Sequence, residues 1–235
     1  MKKSHIATLI VFLVLIPLTL ILGSRLSGRA FYVTSTLVIV ELLIPFFLDF
    51  EGRRPQAREL VVLAVMCALA VAGRVAIPIP SFKAIFGIIM IAGIAFGPES
   101  GFLVGAISAL ASNFFYSQGP YTPWQMMAYG AGGMLAGFVF ARGRLPRKPV
   151  IMGIFGFLAV TFFVGPLLDT CSVFLVMSRI TLKGAMAFYI SGFPVNLRQA
   201  VATAIVLLVL GNPLLEKLDL IKTKYGILDD GGKEA

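Results

Sequence analysis

The side chains best suited to hold a small molecule lie in an uncharged stretch between two long apolar segments, Asn113 to Gln125. The stretch combines tyrosine and tryptophan rings with amide groups. Each of these rings has an apolar body and one polar atom, which suits either the membrane–water boundary or a stacked ligand. Two interpretations therefore stay open, an aromatic belt with a turn and a loop that binds a polar solute. The candidate contacts are Asn113, Tyr116, Gln118, Tyr121, Trp124 and Gln125.

Further candidates are charged or amide residues in or beside two other connections between apolar segments. A guanidinium group pairs well with a phosphate or a carboxylate, although an arginine near a membrane surface often meets only lipid headgroups. The candidates are Arg74 and Lys83 at one connection, and Asp169, Asn196 and Arg198 at the other.

The sequence lacks the residue patterns that most enzymes of this kind would need. The only histidine is His5, and neither H-E-x-x-H nor the phosphate-binding G-x-x-x-x-G-K-[ST] occurs. Cys67 and Cys171 lie in apolar surroundings without the spacing of a metal site. We therefore predict that the protein is not an enzyme and has no cofactor or metal site. We also predict no nucleic-acid binding, because the positive charge lies in short loops.

The composition predicts an all-α integral membrane protein that crosses the bilayer several times. Hydrophobic residues make up 58% of the chain and charged residues 13%, whereas a soluble domain carries about a quarter charged residues. Separate apolar runs long enough to span a bilayer indicate helices rather than a barrel. The predicted spans are Ile6–Leu22, Phe31–Leu48, Leu60–Ile77, Ala84–Phe96, Phe102–Phe115, Met126–Phe140, Val150–Leu168 and Leu197–Leu210.

Two basic loops, Arg53–Arg58 and Arg142–Lys148, predict the orientation of these spans. Lysine and arginine in short loops favour the cytoplasm, and an even number of spans then places both termini there. The predicted location is thus the cell membrane, with three connections on the outside. These are Arg74–Lys83, Asn113–Gln125 and Asp169–Asn196, which contain or adjoin the candidate ligand contacts.

Small residues recur at helical spacing in three of the spans. Ala64, Ala68 and Ala72 occupy every fourth position, so they share one helix face that another helix could approach closely. The glycines have a simpler interpretation, internal packing of the bundle. They are Gly101 and Gly105 in one span, and Gly130, Gly133 and Gly137 in the next.

Several of these patterns together resemble a known family. They are the alanine face, F-G-P-E-S-G-F-L-V-G-A-I-S-A-L-A-S-N-F-F from Phe96, Q-G-P-Y-T-P-W-Q-M from Gln118, Y-I-S-G-F-P-V-N-L-R-Q-A from Tyr189, and N-P-L at Asn212. On these patterns, residues 58–213 resemble the substrate-binding subunit, or S component, of energy-coupling factor (ECF) transporters.

The resemblance implies a six-helix membrane core that binds a vitamin near the outer face. It also implies that Ala64, Ala68 and Ala72 contact a membrane coupling subunit, which works with two cytoplasmic ATPase subunits. The chain then divides into two N-terminal transmembrane helices (1–52), the core (53–215) and a charged cytoplasmic tail (216–235). The two N-terminal helices depart from the common six-helix pattern.

The identity of the vitamin stays open at this level. The long aromatic loop and the extra N-terminal helices are most similar to S components for cobalamin or related corrinoids. Riboflavin, pantothenate, pyridoxine and queuosine precursors are alternatives. A stand-alone secondary carrier for a small polar metabolite is another, and it would need ionisable groups inside the membrane. Glu41 is the candidate for that role, unless its carboxyl group is protonated or pairs with a polar group of a neighbouring helix.

Overall fold

The computed structural model describes residues 11–15, 18–19, 22, 30–52, 56–141, 143–177 and 179–226. Over these residues the chain forms helices and no strand. A short π-helical segment, Val11–Leu15, precedes the first long helix. The long helices are α1 (Ala30–Gly52), α2 (Ala57–Val75), α3 (Ile85–Phe96), α4 (Pro98–Tyr116), α5 (Thr122–Ala136, extended by the π-helical Gly137–Ala141), α6 (Pro149–Val176, with a π-helical segment at Val160–Val164) and α7 (Leu182–Tyr225).

The predicted all-α fold is confirmed. Helices α2 to α7 correspond to the six predicted spans from Leu60 onward, and α1 corresponds to the span before them. Most of the first predicted span lies outside the described residues. By length and composition, α6 and α7 are each able to cross a membrane. The bundle also exposes many large apolar side chains, such as Phe162 and Leu182, as expected where lipid surrounds a protein.

The expected connection from Asp169 to Asn196 is largely helical, which corrects the sequence-based boundary. Helix α6 continues to Val176 and α7 begins at Leu182. The sequence left the fold of this mixed stretch open and ended the neighbouring spans at Leu168 and Leu197. In the structure, Asn196 donates to Asp169 across the two helices at 2.7 Å, so both polar side chains are satisfied within helices. The connection between α4 and α5 is likewise shorter than expected, because these helices reach Tyr116 and resume at Thr122.

The predicted boundary between the core and a charged tail lies inside α7. This helix continues to Tyr225, ten residues beyond Leu215. Leu218 is buried, and Lys222 donates to a backbone carbonyl of α3. The charges in this segment alternate with apolar residues that pack on the bundle, so the helix persists.

Helix α3 is the centre of the bundle. All 12 of its residues are buried, and α2, α4, α5 and α7 pack around it. At 1.5 Å per residue the helix is about 18 Å long, shorter than the roughly 30 Å hydrocarbon core of a bilayer. Its side chains are almost all apolar, so α3 depends on its neighbours for its position.

Glycines allow α3, α4 and α5 to approach one another backbone to backbone. A Cβ atom on Gly93 of α3 would lie 2.1 Å from the carbonyl oxygen of Gly133 in α5, and one on Gly101 of α4 would lie 2.5 Å from the same oxygen. Real Cβ atoms do not come so close to a backbone atom, so a side chain at these positions would push the helices apart. The predicted internal packing of the glycine faces is confirmed.

Basic side chains complete the carboxyl end of α3. The last carbonyl groups of a helix have no intrahelical partner, and here Arg147 donates to Ile94 O at 3.1 Å while Lys222 donates to Ala95 O at 2.7 Å. Both cations lie near Asp219. We call this side of the bundle the basic end. The connections between α2 and α3, α4 and α5, and α6 and α7 meet at the opposite end, because each intervening helix reverses direction.

The first prediction tests the orientation of the two ends. A cysteine replacing exposed Ser117 should react with a membrane-impermeant maleimide in intact cells, since its loop is expected outside. A cysteine replacing Leu145, in the basic loop, should react only after permeabilisation. Native Cys67 and Cys171 are buried, so background labelling should be low. The reverse pattern would overturn the orientation.

The second prediction tests the glycine contact. Gly133→Val should destabilise the bundle by about 1–3 kcal/mol, because the added methyl groups overlap the backbone of α4. The measurement is the thermal unfolding midpoint of the detergent-solubilised protein. Ala187→Val, on an exposed face of α7, is the control and should leave the midpoint unchanged. Equal midpoints for the two variants would mean that the helices do not pack this closely.

Candidate functional site

A cavity of about 240 Å³ opens at the end of the bundle opposite the basic end. All six helices from α2 to α7 and the connection between α2 and α3 enclose it. Apolar contacts come from residues such as Phe86, Leu168 and Val195. Its polar lining consists of Arg74, Ser81, Lys83, Tyr116, Tyr129, Asn196 and Gln199.

Arg74, in the last turn of α2, is held rigidly at this cavity. Its Nη1 donates to Asn113 Oδ1 at 2.9 Å and also to the hydroxyl of Ser112. Its guanidinium carbon lies 4.9 Å from the ring centroid of Tyr116 and 5.6 Å from that of Tyr129, within the range of cation–π attraction. The Tyr116 hydroxyl donates to the backbone oxygen of Arg74 at 3.0 Å. The positive charge is therefore fixed against two rings.

The amide groups of the predicted stretch support Arg74 from behind instead of lining the cavity. Asn113 is fully buried, and its Nδ2 donates to Gln125 Oε1 at 2.8 Å and to Thr122 Oγ1 at 3.2 Å. The Thr122 hydroxyl in turn donates to Gln118 Oε1 at 2.9 Å. This network fixes the Asn113 carbonyl oxygen toward Arg74.

Of the aromatic candidates in that stretch, one lines the cavity and two do not. Tyr116 lines the cavity, whereas the Tyr121 hydroxyl donates to Ser117 O in its own loop. Trp124 is only 8% exposed and stacks on Phe174 of α6, with ring centroids 5.6 Å apart. It packs with Ile39 of α1 in the same cluster. Trp124 is therefore a packing residue between helices, and neither the lipid-boundary nor the stacked-ligand interpretation describes its place.

Lys83 and Asn196 line the cavity with Arg74, whereas the candidates Asp169 and Arg198 do not. The Lys83 ammonium donates to the carbonyl of Ile77, and its backbone N–H donates to Gln199 Oε1 at 3.2 Å. Asp169 lies behind Asn196, whose amide it accepts from. Arg198 is exposed and donates to Pro194 O. That the lining residues bind the solute stays a prediction.

Sequence reasoning missed Tyr129 and Gln199. Both lie within segments assigned as apolar spans, Met126–Phe140 and Leu197–Leu210. The sequence signal that could have found them is a polar side chain inside an otherwise apolar segment. Tyr129 is 5% exposed and packs edge-on against Phe86, with ring centroids 4.5 Å apart, so it forms the inner wall of the cavity.

The alanine face of α2 points away from the bundle. Ala64, Ala68 and Ala72 are exposed, whereas Leu63 and Met66 on the opposite side are buried. Ala68 and Ala72 line an apolar groove of about 480 Å³ together with residues of α4. Internal packing therefore does not explain these alanines.

Glu41 of α1 lies apart from the cavity. Its Oε1 accepts a hydrogen bond from the hydroxyl of Thr19, in the segment that precedes α1. The carboxyl group is thus paired with a polar group of a neighbouring segment, which is the alternative to an ion-coupling role for Glu41.

Comparison with known proteins identifies one family. The protein-family model described as "ECF-type riboflavin transporter, S component" matches residues 55–216 of the chain. The match begins just before α2 and ends inside α7, so it covers the helices that form the cavity and leaves out α1. No curated protein and no solved structure shows significant similarity to the chain.

The third prediction concerns Trp124. Trp124→Ala should lower the free energy of unfolding by about 3–5 kcal/mol, because the substitution leaves a void between α1, α5 and α6. Thermal unfolding of the ligand-free protein in detergent measures this. Phe114→Ala is the control, since that ring is 77% exposed, and it should have little effect. An unchanged unfolding midpoint together with lost ligand binding would show that Trp124 contacts the ligand and does not mainly hold the helices together.

Proposed function

The chain belongs to the family of ECF-type riboflavin transporter S components, and we propose that it captures a small vitamin at the outer face of the cell membrane. As a member of this family it is a transporter subunit of the membrane, not an enzyme. The family match over residues 55–216 carries the proposal. A cavity lined by polar and aromatic side chains at one end of the matched helices supports it.

The size of the cavity favours a compact ligand. Sites for small molecules usually measure about 300–1,000 Å³, and this one is near 240 Å³. A corrinoid, which joins a macrocycle to a nucleotide tail, is too large for this space without extensive rearrangement. A vitamin with a single fused-ring system, such as the riboflavin in the family's description, fits better. The rings of Phe86, Tyr116 and Tyr129 offer contacts for such a ligand.

The alanine face is the proposed docking site for the coupling subunit. Ala64, Ala68 and Ala72 are small and exposed, so a partner helix could approach the α2 backbone closely. Their side of α2 is distinct from the side that packs on α3. Binding of the vitamin and docking of the partner would therefore use different surfaces. Two ATPase subunits at the cytoplasmic side would supply the energy, through the coupling subunit.

A stand-alone carrier receives less support. Glu41, the residue suggested for ion coupling, is paired with Thr19 and does not line the cavity. We therefore expect the isolated protein to bind its ligand without transporting it. Uptake into liposomes should require the coupling subunit, the ATPases and ATP.

The fourth prediction separates docking from binding. Ala68→Trp should abolish uptake in cells and release the protein from its coupling complex, because the bulky ring holds the partner helix away. Binding of the metabolite that co-purifies with the protein should stay within about twofold of wild type. The measurements are vitamin uptake, pull-down of the coupling subunit and binding to the purified protein.

Ile154→Trp is the matched control, because Ile154 is exposed on α6, away from the alanine face. It should keep uptake, docking and binding. If Ala68→Trp retains uptake, no partner docks at this face. If uptake by the purified wild-type protein alone proceeds without ATPases, the carrier hypothesis replaces the S-component function.

A further inference from the structure

We propose that the cavity selects an anion, a compact vitamin or precursor that carries a carboxylate or a phosphate group. This inference rests on the proposed function, since it concerns the ligand of the same cavity. Its basis is an excess of positive charge among the residues that enclose the space.

Two cations face the cavity, and no acidic residue in the described part of the chain lines it. Arg74 approaches from α2 and Lys83 from the connection before α3. Asp169 follows the lining residue Leu168 but does not line the cavity, and its Oδ2 accepts a hydrogen bond from the lining residue Asn196 at 2.7 Å. Asp169 also fills the space beside Gly192, where a Cβ atom would lie 2.1 Å from its Oδ1. It is therefore directed toward α7.

The known partners of the two cations are neutral. Arg74 donates to a hydroxyl and an amide oxygen and stacks on tyrosine rings, and Lys83 donates to a backbone carbonyl. These contacts orient the cations but do not cancel their charge. Both cations are half-buried, and a charge that is partly removed from water without a counter-charge nearby is disfavoured. A bound anion would neutralise this excess while making charge-assisted hydrogen bonds.

The other lining residues indicate which further features the ligand needs besides its acidic group. Phe86 and Tyr129 form an aromatic wall, and Leu168 and Val195 add apolar contacts from α6 and α7. Asn196 and Gln199 can donate to or accept from polar edges. The geometry thus fits a small body with an aromatic or apolar face and one acidic group near Arg74.

The test uses two matched pairs of compounds that differ in charge. Riboflavin 5′-phosphate and riboflavin compare a phosphate with a neutral alcohol, and pantothenate and pantothenol compare a carboxylate with a neutral alcohol. Affinity for each is measured by calorimetry on the purified full-length protein. We expect at least one anion to bind about tenfold or more tightly than its neutral partner, which corresponds to about 1.4 kcal/mol. The pair that responds identifies the acidic group.

Variants then assign the preference to the two cations. Arg74→Gln and Lys83→Gln should each reduce the ratio of the two affinities severalfold, and Arg74→Lys should retain most of it because the charge stays. Lys148→Gln, at the basic end, is the charge-matched control and should leave the ratio unchanged. Since Arg74→Gln also removes supporting contacts, Lys83→Gln tests the charge independently if the former does not fold.

The inference would be overturned if both neutral compounds bound as tightly as, or more tightly than, their anionic partners. It would also be overturned if none of the four compounds bound. An unchanged ratio in Lys83→Gln and Arg74→Gln would also overturn it. These outcomes leave the S-component function intact if uptake still depends on the coupling subunit and ATPases. Conversely, uptake without those partners would remove the proposed function, whatever the charge of the ligand.

Discussion

The close contact of Gly93, Gly101 and Gly133 is the constraint on which the rest of the structure depends. In a bilayer, helices gain little from hiding apolar side chains from one another, so tight van der Waals packing must hold them together. The three glycines bring α3, α4 and α5 into backbone contact. This contact fixes α3 at the centre, and α2 and α7 then pack on its remaining sides. The position of the cavity follows, because Phe86 in the first turn of α3 forms part of its wall.

The two ends of this central unit satisfy their polar groups in different ways. At one end, Arg147 and Lys222 pair with the last carbonyls of α3, which matches positive charge to the negative end of the helix dipole. At the other end, Arg74 is oriented by Ser112 and Asn113, and an amide network holds Asn113 in turn. The first arrangement is closed by Asp219 as a counter-charge. The second faces the open cavity, and this asymmetry distinguishes a structural cap from the proposed binding site.

Much of this architecture could be predicted from the apolar runs, and the errors have physical causes. The six core helices and their alternation follow from run length and the basic loops, since both reflect the cost of placing charge in lipid. Asp169 and Asn196 misled the boundary assignment because each satisfies the other across two helices, which a linear pattern does not reveal. For the site, Arg74, Lys83, Tyr116 and Asn196 line the cavity as residue types suggested. Trp124 does not, because its direction depends on how α1 packs against α5 and α6.

The junction between α3 and α4 has a consequence for biogenesis. Only Gly97 separates the two helices, and its φ of 94° is a conformation that suits glycine. Helix α3 is too short to serve as an independent anchor while the ribosome is still elongating the chain. We therefore expect α3 and α4 to leave the translocon as one hairpin. Until α5 emerges, the Gly93 and Gly101 backbones lack the Gly133 carbonyl as a neighbour, so we expect the packing that holds α3 at the centre to form only after α5 is inserted.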